Sequence, residues 1–398
     1  ITRTSTSPTS PVKSGTYTPT ATASSALPVA ITIAAGSSSV CSISAGVVTF
    51  NTAGSCVIQY NQSGDSSYSA ATQVTETLTI GKATPTFSTW SDVSKNFEDS
   101  AFTVTAPTVT GSVPGTFIYS SATTSVISVL GTTLSVVGAG SSVITATFTP
   151  TNTTNYNTAT TTMTVTVSKA VLSITASSHT VAYGAAIPTI TPTYSGFVNG
   201  DTSSVVTAPI CSTTYTTTTA VGSATSSCIG ATASNYSFTY TPGVITIEKA
   251  VQATLVGTAG QSMWAWVELP FSSITTSGGN GTGAVKFTVA SGPCAVSGTT
   301  LTATSGGTCS LIAVKEADTN YLEKSSTAFS FNVSKGAPTV TQSLPAGATT
   351  ATYGTAVVIT ATVQYAGTVT FKAGTTEICN SVTANLTATC SWTPNSAV

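Results

Sequence analysis

The sequence predicts an all-β protein, a tandem array of antiparallel β-sandwich domains that together form an elongated rod. Short runs such as VCSIS (residues 40–44) and VVTF (residues 47–50) alternate apolar and polar side chains, as half-buried strands do. Helical spacing of apolar residues is almost absent, and Gly, Pro, Asn and Ser separate the runs. A phrase repeated along the chain is the third observation, because it divides these strands into units.

Four copies of this phrase, LTIGKA, VTVSKA, ITIEKA and FNVSKG, mark the ends of the units. Their lysines are 80 to 87 residues apart: Lys82, Lys169, Lys249 and Lys335. A tyrosine precedes each lysine by 13 or 14 residues: Tyr68, Tyr156, Tyr236 and Tyr321. Each phrase is interpreted as the closing strand of one domain, followed at once by the opening strand of the next, with no flexible linker between them.

These periods predict five domains. They are domain 1 (15–82), domain 2 (83–169), domain 3 (170–249), domain 4 (250–335) and domain 5 (336–398), and residues 1–14 are predicted to be a linker or the tail of a preceding domain. Domain 5 has no closing strand, so it is expected to be incomplete. Two explanations stay open: the chain is a piece of a longer protein, or the open edge of domain 5 accepts a strand from another copy.

The chain carries very few charges. It has 11 Lys and Arg, 12 Asp and Glu, one His and a net charge of −1 in 398 residues. A basic surface for nucleic acid or for an anionic membrane cannot be built from this composition. No apolar run of about 18 residues is present, so membrane insertion is not expected. A nearly uncharged surface lacks the usual repulsion between copies, which favours self-association.

The units resemble the immunoglobulin-like repeats of large secreted and cell-surface bacterial proteins. Domains 1, 2 and 4 carry SVCSISAGVVTFNTAGSCVI, SVISVLGTTLSVVGAGSSVI and GPCAVSGTTLTATSGGTCSLI, and domain 5 (TYGTAVVITATV) is similar to another common bacterial repeat. Domain 3 resembles the MBG type through VAYGAAIPTITPTYSGFVNGDT and ASNYSFTYTPGVITI. The resemblance implies an Ig-like fold and roles as spacers, adhesin stalks or surface-layer subunits, and some such repeats bind ligands.

The eight cysteines form local pairs in every domain except the second: Cys41 with Cys56, Cys211 with Cys228, Cys294 with Cys309, and Cys379 with Cys390. In domain 2, Ile127 and Ser142 stand at the same spacing as Cys41 and Cys56, so the frame persists without sulfur. This argues against a metal or redox site, as does the absence of CxxC and of nearby histidines. Disulfides in an oxidising compartment are expected, within one sheet or between two, in a secreted, extracellular or cell-surface bacterial protein.

No catalytic constellation is visible, so the chain is not expected to be an enzyme. His179 is the only histidine, at what reads as the exposed start of a strand, and no motif of a hydrolase, metalloprotease or nucleotide-binding protein surrounds it. No cofactor is predicted. Calcium is a minor alternative at loop acids, although their oxygen ligands are not clustered in sequence: Asp65, Glu98, Asp99, Asp201 and Asp318.

A candidate contact surface occurs in SMWAWVELPF of domain 4. Alternation predicts a core face of Met263, Ala265, Val267 and Leu269, and an outer face of Trp264, Trp266 and Glu268. Exposed large aromatic side chains tend to mark contacts. Three interpretations stay open: packing against a neighbouring domain or subunit, a core strand in the opposite register, or stacking on a sugar ring.

The function expected from these observations is that of a structural subunit of an extracellular surface assembly: a filament, a surface layer or an adhesin stalk. The expected partners are other copies of the chain, with strand exchange at the C-terminal domain as one mode of contact. The alternative is an adhesin that binds a glycan or a host protein through its exposed aromatic side chains.

Overall fold

The computed structural model describes residues 1–336, 339–343, 352–364 and 367–395, and confirms the all-β fold class. Within these residues the helices are three short 3-10 turns, Ala35–Ser37, Ser203–Val205 and Phe271–Ser273. No helix in the described ranges has the length and apolar character needed to cross a membrane. The chain forms two compact units, residues 1–177, 190–212 and 227–243, and residues 178–189, 213–226 and 244–398. We keep the names domain 1 to domain 5, whose number and limits stay predictions.

Domain 1 is a sandwich of two three-stranded sheets. One sheet orders the strands Thr16–Tyr17, Val47–Phe50 and Cys41–Ser44, and the other orders Ala30–Ile33, Gly54–Asn61 and Val74–Ile80. Alternate residues of each strand enter a shared core, where Val48, Phe50, Ile58 and Tyr60 are at most 1% exposed. The alternation read from the sequence therefore reports burial correctly in this domain.

Residues 1–14, which were predicted to be a linker or a tail, contact domain 1 instead of standing apart from it. Thr2–Arg3 pairs antiparallel with Ala21–Thr22, and Ile1 packs against the core of domain 1. Further along, Val12 forms a parallel bridge with Gly81 beside the closing strand. Residues 1–14 are mostly polar, and their backbone partners lie far away along the chain, so the sequence alone suggests a linker.

Domain 2 repeats the arrangement. One sheet orders Phe102–Thr103, Thr133–Val136 and Ile127–Leu130, and the other orders Gly115–Ser121, Gly140–Pro150, Ala159–Ser168 and Val93–Asn96. Val93–Asn96 pairs parallel with the closing strand of its own domain. The core of domain 2 continues without a break into Ala170, Leu172 and Tyr236 of domain 3. Shared burial of this kind joins the two domains through apolar contact.

The strands of domain 3 form two sheets. The first orders Pro192–Ser195, Ala170–Ala176 and Tyr236–Thr241. The second orders His179–Ala182, Gly243–Glu248, Gly222–Ile229 and Ile210–Thr213, and His179–Ala182 again runs parallel to the closing strand. A strand from the first part of the domain thus pairs in parallel with the closing strand in domain 3 as it does in domain 2.

Domain 4 also has two sheets, and its strand Gln261–Trp264 runs parallel to the closing strand Phe329–Ser334. One sheet orders Gln261–Trp264, Phe329–Ser334, Gly307–Lys315 and Val285–Ser291, with Lys324–Ser325 beside Gly307–Lys315. The other orders Leu269–Pro270, Thr300–Ala303 and Cys294–Ser297, and Val256–Gly257 pairs with Thr276–Ser277. The two sheets share one buried core, in which Leu301, Leu311 and Ala313 have no exposed surface.

The described part of domain 5 has one sheet ordered Val340–Ser343, Val357–Val363 and Thr387–Trp392, and a second formed by Gly367–Ala373 and Thr376–Ala384. Its core contains Ile359, Phe371 and Cys390. Trp392 packs against this core, as Trp90 packs against the core of domain 2.

Candidate functional site at the domain junctions

The structure contains the four expected disulfides, Cys41–Cys56, Cys211–Cys228, Cys294–Cys309 and Cys379–Cys390. Three of them join the two sheets of their domains, whereas Cys211–Cys228 joins neighbouring strands of one sheet. The sequence left this placement open. Among the described residues no cysteine is free. Disulfides across a small sandwich core act as staples in an oxidising compartment.

Domain 2 shows what replaces a disulfide at the same position. Ile127 begins its strand as Cys41 does, and Ser142 is the third residue of its strand as Cys56 is. Ile127 is completely buried, and the Ser142 hydroxyl is satisfied by Ser121 at 2.8 Å and by the N–H of Thr123 at 3.0 Å. A buried apolar side chain thus takes the place of one cysteine, and a small hydrogen-bonded hydroxyl group takes the place of the other.

The tyrosine that recurs in the repeats lies at a domain junction in domains 2, 3 and 4. The residue that follows the junction lysine forms a parallel bridge with the tyrosine of its own domain, in the pairs Ala83 with Tyr156, Ala170 with Tyr236, and Ala250 with Tyr321. The opening residue and the tyrosine loop therefore lie side by side at the end that faces the preceding domain. The 13 or 14 residues from each tyrosine to the following lysine contain the closing strand of the domain, so this spacing reflects the length of that strand.

An asparagine immediately before each of these tyrosines bonds to the preceding domain. The side-chain oxygens accept backbone N–H groups in three equivalent bonds: Asn155 from Ala53 at 2.9 Å, Asn235 from Ala139 at 2.9 Å, and Asn320 from Val221 at 3.1 Å. Each donor precedes a glycine with φ between +138° and +144°, a conformation that other residues rarely adopt. The sequence reasoning missed this bond, although the dipeptide Asn-Tyr occurs at all three sites.

The tyrosine rings contact side chains of the preceding domain. Lys13 Nζ lies 4.9 Å from the centre of the Tyr156 ring. Phe97 packs edge-on against Tyr236 with ring centres 5.8 Å apart, and Tyr183 packs edge-on against Tyr321 at 5.4 Å. Edge-to-face aromatic pairs and cation–π contacts at these distances are favourable. Each of these three junctions thus combines a backbone bridge, an asparagine bond and a ring contact.

Four of the five loop acids considered as calcium ligands accept protein N–H or O–H groups. Asp65 accepts the amides of Ser67 and Tyr68, and the Asp99 carboxylate accepts the amide of Asn96. Backbone N–H groups from Thr282 and Asn320 are the main cause that lowers the pKa of Asp318 to about 2. In the described ranges no three His, Cys, Asp or Glu side chains are grouped to hold a metal ion.

Of the two remaining loop acids, Asp201 accepts a hydrogen bond from the Tyr236 hydroxyl at 2.8 Å, and Glu98 is exposed. His179 begins the strand His179–Ala182 and is only partly exposed, rather than fully solvated as the sequence suggested.

A buried carboxylate anchors the N-terminal arm, which we define as residues 1–7. Glu76 is 3% exposed and accepts bonds from Arg3 at 2.6 Å, from Tyr60 at 2.5 Å and from Ser7. Burial by itself disfavours the charge, but the bonds from Ser7, Tyr60 and Arg3 outweigh it and hold the pKa of Glu76 below its usual value of 4.5. Burial and the neighbouring carboxylate raise the pKa of Tyr60.

The predicted contact surface of domain 4 is exposed, but its strand is shorter than expected. Trp264 and Trp266 are 56% and 50% exposed, and Glu268 is also exposed, while Met263 and Ala265 are buried. Val267 was predicted to face the core and is 44% exposed. The reason for this error is that the strand ends at Trp264 and the chain turns at Trp266, whose φ is +68°, so that alternation no longer applies.

Comparisons with known proteins agree with the resemblance of domain 3. Residues 172–246 match the family described as the MBG domain (YGX type), and Tyr183-Gly184 lies within this range. No curated protein matches the chain.

Two solved structures are similar to the chain at low identity. Drosophila N-cadherin EC1-4 is 8% identical over 78% of this chain and 92% of that chain, with a TM-score of 0.29. The zebrafish RET cadherin-like domains 1 to 4 are 8% identical over 77% of this chain and 93% of that chain, with a TM-score of 0.18.

Proposed function

We propose that this chain is a structural subunit of an extracellular bacterial surface assembly, such as a filament, a surface layer or an adhesin stalk, and that it has no catalytic role. The observation that carries the proposal is the repeated junction, in which Asn155, Asn235 and Asn320 each bond to the preceding domain. Successive domains that are bonded in the same way suit a load-bearing role better than a flexible string of modules does.

The four disulfides support an extracellular location, since such bonds persist in oxidising compartments. The net charge of −1 leaves little repulsion between copies, which supports other copies of the chain as partners. Strand addition at domain 5 is one mode of contact, because among the described residues Gly367–Ala373 has a strand neighbour on one side only.

The proposal is tested by negative-stain electron microscopy of the secreted protein, before and after reduction of its disulfides. Ordered fibres or sheets are expected from the oxidised protein. Fewer or disordered ones are expected after reduction, because the domains lose their disulfide cross-links. Single, unassociated chains at every concentration would contradict the proposal.

A second candidate function is adhesion to a glycan. It is favoured by Trp264 and Trp266, which are half exposed in domain 4, with Trp266 at a positive φ of +68° that costs backbone energy. Glycan-array binding should be lost in Trp266→Ala and retained in Leu130→Ala, which removes another exposed apolar side chain, from domain 2. No binding by the unmodified protein, or equal binding by both variants, argues against adhesion through this surface.

A further inference from the structure

The loop that carries Tyr68 in domain 1 has the same backbone bonds as the loop that carries Tyr321 in domain 4. Asp65 Oδ1 accepts the amides two and three residues ahead at 2.8 and 2.9 Å, and its own N–H donates to the Tyr68 carbonyl at 2.9 Å. Asp318 makes the same three bonds at 2.8, 2.8 and 3.1 Å, the last to Tyr321. The two tyrosines are therefore presented on loops of the same geometry.

A second equivalence relates Tyr353 in domain 5 to Tyr183 in domain 3. Each tyrosine is followed by a glycine with positive φ, +80° at Gly184 and +75° at Gly354. The amide after the glycine donates to the carbonyl before the tyrosine at 3.0 Å in domain 3 and at 3.1 Å in domain 5. Both tyrosines thus occupy the second position of the same kind of β-turn.

Within the chain, one loop and one turn of these two kinds meet. The rings of Tyr183 and Tyr321 pack edge to face, with centres 5.4 Å apart and planes at 78°, where domain 3 joins domain 4. The corresponding Tyr68 and Tyr353 are 54% and 70% exposed. The described residues therefore include an exposed counterpart of each of the two surfaces that meet where domain 3 joins domain 4.

We propose that the Tyr68 loop of one copy docks on the Tyr353 turn of a second copy and repeats the contact between domains 3 and 4. This inference rests on the proposed assembly function and names the surfaces that copies use. Ser67 stands where Asn320 accepts an amide in the domain 4 loop, and its hydroxyl can also accept one. Two different surfaces make the contact heterologous, so it adds copies head to tail and builds a filament unless a ring closes.

The test is sedimentation of the full chain over a concentration series, with Tyr68→Ser, Tyr353→Ser, the double variant and the control Leu130→Ser. Each single tyrosine variant should weaken association about 10-fold, because an aromatic pair and its buried area are lost. The double variant should be no weaker than the singles, since the two rings contact each other. The control removes an apolar side chain that is 84% exposed in domain 2 and should associate as the unmodified chain does.

A crosslinking experiment identifies the surfaces while both tyrosines are retained. Ser67→Cys and Thr352→Cys chains are mixed and treated with a short bis-maleimide. Crosslinked dimers are expected from the mixture and not from either variant alone, because the contact joins unlike surfaces. Association that persists in both tyrosine variants overturns this contact and leaves the proposed assembly to another surface. A chain that stays monomeric at every concentration overturns both.

Discussion

At the residue scale, Glu76 is the charged group that holds the N-terminal arm against domain 1. Its carboxylate is almost completely buried and bonds to Arg3, Tyr60 and Ser7. We expect Glu76→Gln to lower the free energy of unfolding of domain 1 by about 1–3 kcal/mol at neutral pH, because the amide no longer attracts Arg3 and cannot accept all of these bonds. Thermal unfolding of the full chain measures this, with Glu98→Gln, an exposed glutamate, as the control.

The same carboxylate makes attachment of the arm sensitive to acid. The pKa of Glu76 is lowered in the folded domain, so the unfolded chain takes up a proton first as the pH falls. The stabilisation is complete above the ordinary glutamate value of 4.5 and is lost as the pH falls through the lower folded pKa. Hydrogen exchange in residues 1–7, corrected for the intrinsic effect of pH, should accelerate over this range. Equal acceleration in Glu76→Gln would contradict the assignment to this carboxylate.

At the element scale, the asparagine loops fix one domain against the next. Asn155 accepts the Ala53 amide at 2.9 Å and is 7% exposed, so Asn155→Ala leaves the part-buried N–H of Ala53 without its partner, at a cost of about 1–3 kcal/mol. Lys82 lies at this junction and is exposed, but trypsin cleaves after it only when the surrounding backbone opens. Cleavage at Lys82 should therefore be about 5- to 150-fold faster in the variant.

Two comparisons control this experiment. Cleavage after Lys169, at the next junction of the same chain, should stay unchanged because the Asn235 bond to Ala139 remains. Asn51→Ala removes an exposed asparagine whose amide bonds locally to Ser42, and should leave cleavage at Lys82 unchanged. Faster cleavage at both lysines would indicate general destabilisation instead of an opened junction.

The strands and disulfides could be predicted because their signals are local. The phrase ITIEKA contains the end of the strand Gly243–Glu248, and the alternation of domain 1 matches its buried side chains. The junction bonds could not be predicted, since Asn155 and Ala53 are 102 residues apart and belong to different domains. The arm was missed for the same reason, because Ser7 bonds to Glu76, 69 residues away. Val267 shows the opposite error, in which a local pattern was extended past the end of its strand.

At the scale of the whole molecule, the small number of charged side chains determines how the association of copies should depend on salt concentration. Only 23 side chains of 398 are Lys, Arg, Asp or Glu, and Tyr68 and Tyr353, the rings of the proposed contact, are uncharged. Sodium chloride screens charges over about 10 Å at 0.1 M, so it has little attraction or repulsion to remove here. Raising sodium chloride from about 0.05 M to about 0.5 M should change the association constant by less than about threefold, whereas ammonium sulfate should strengthen association by favouring apolar burial. Sedimentation in both salts measures this, and a weakening of tenfold or more in sodium chloride would show that ion pairs, and not tyrosine rings, join the copies.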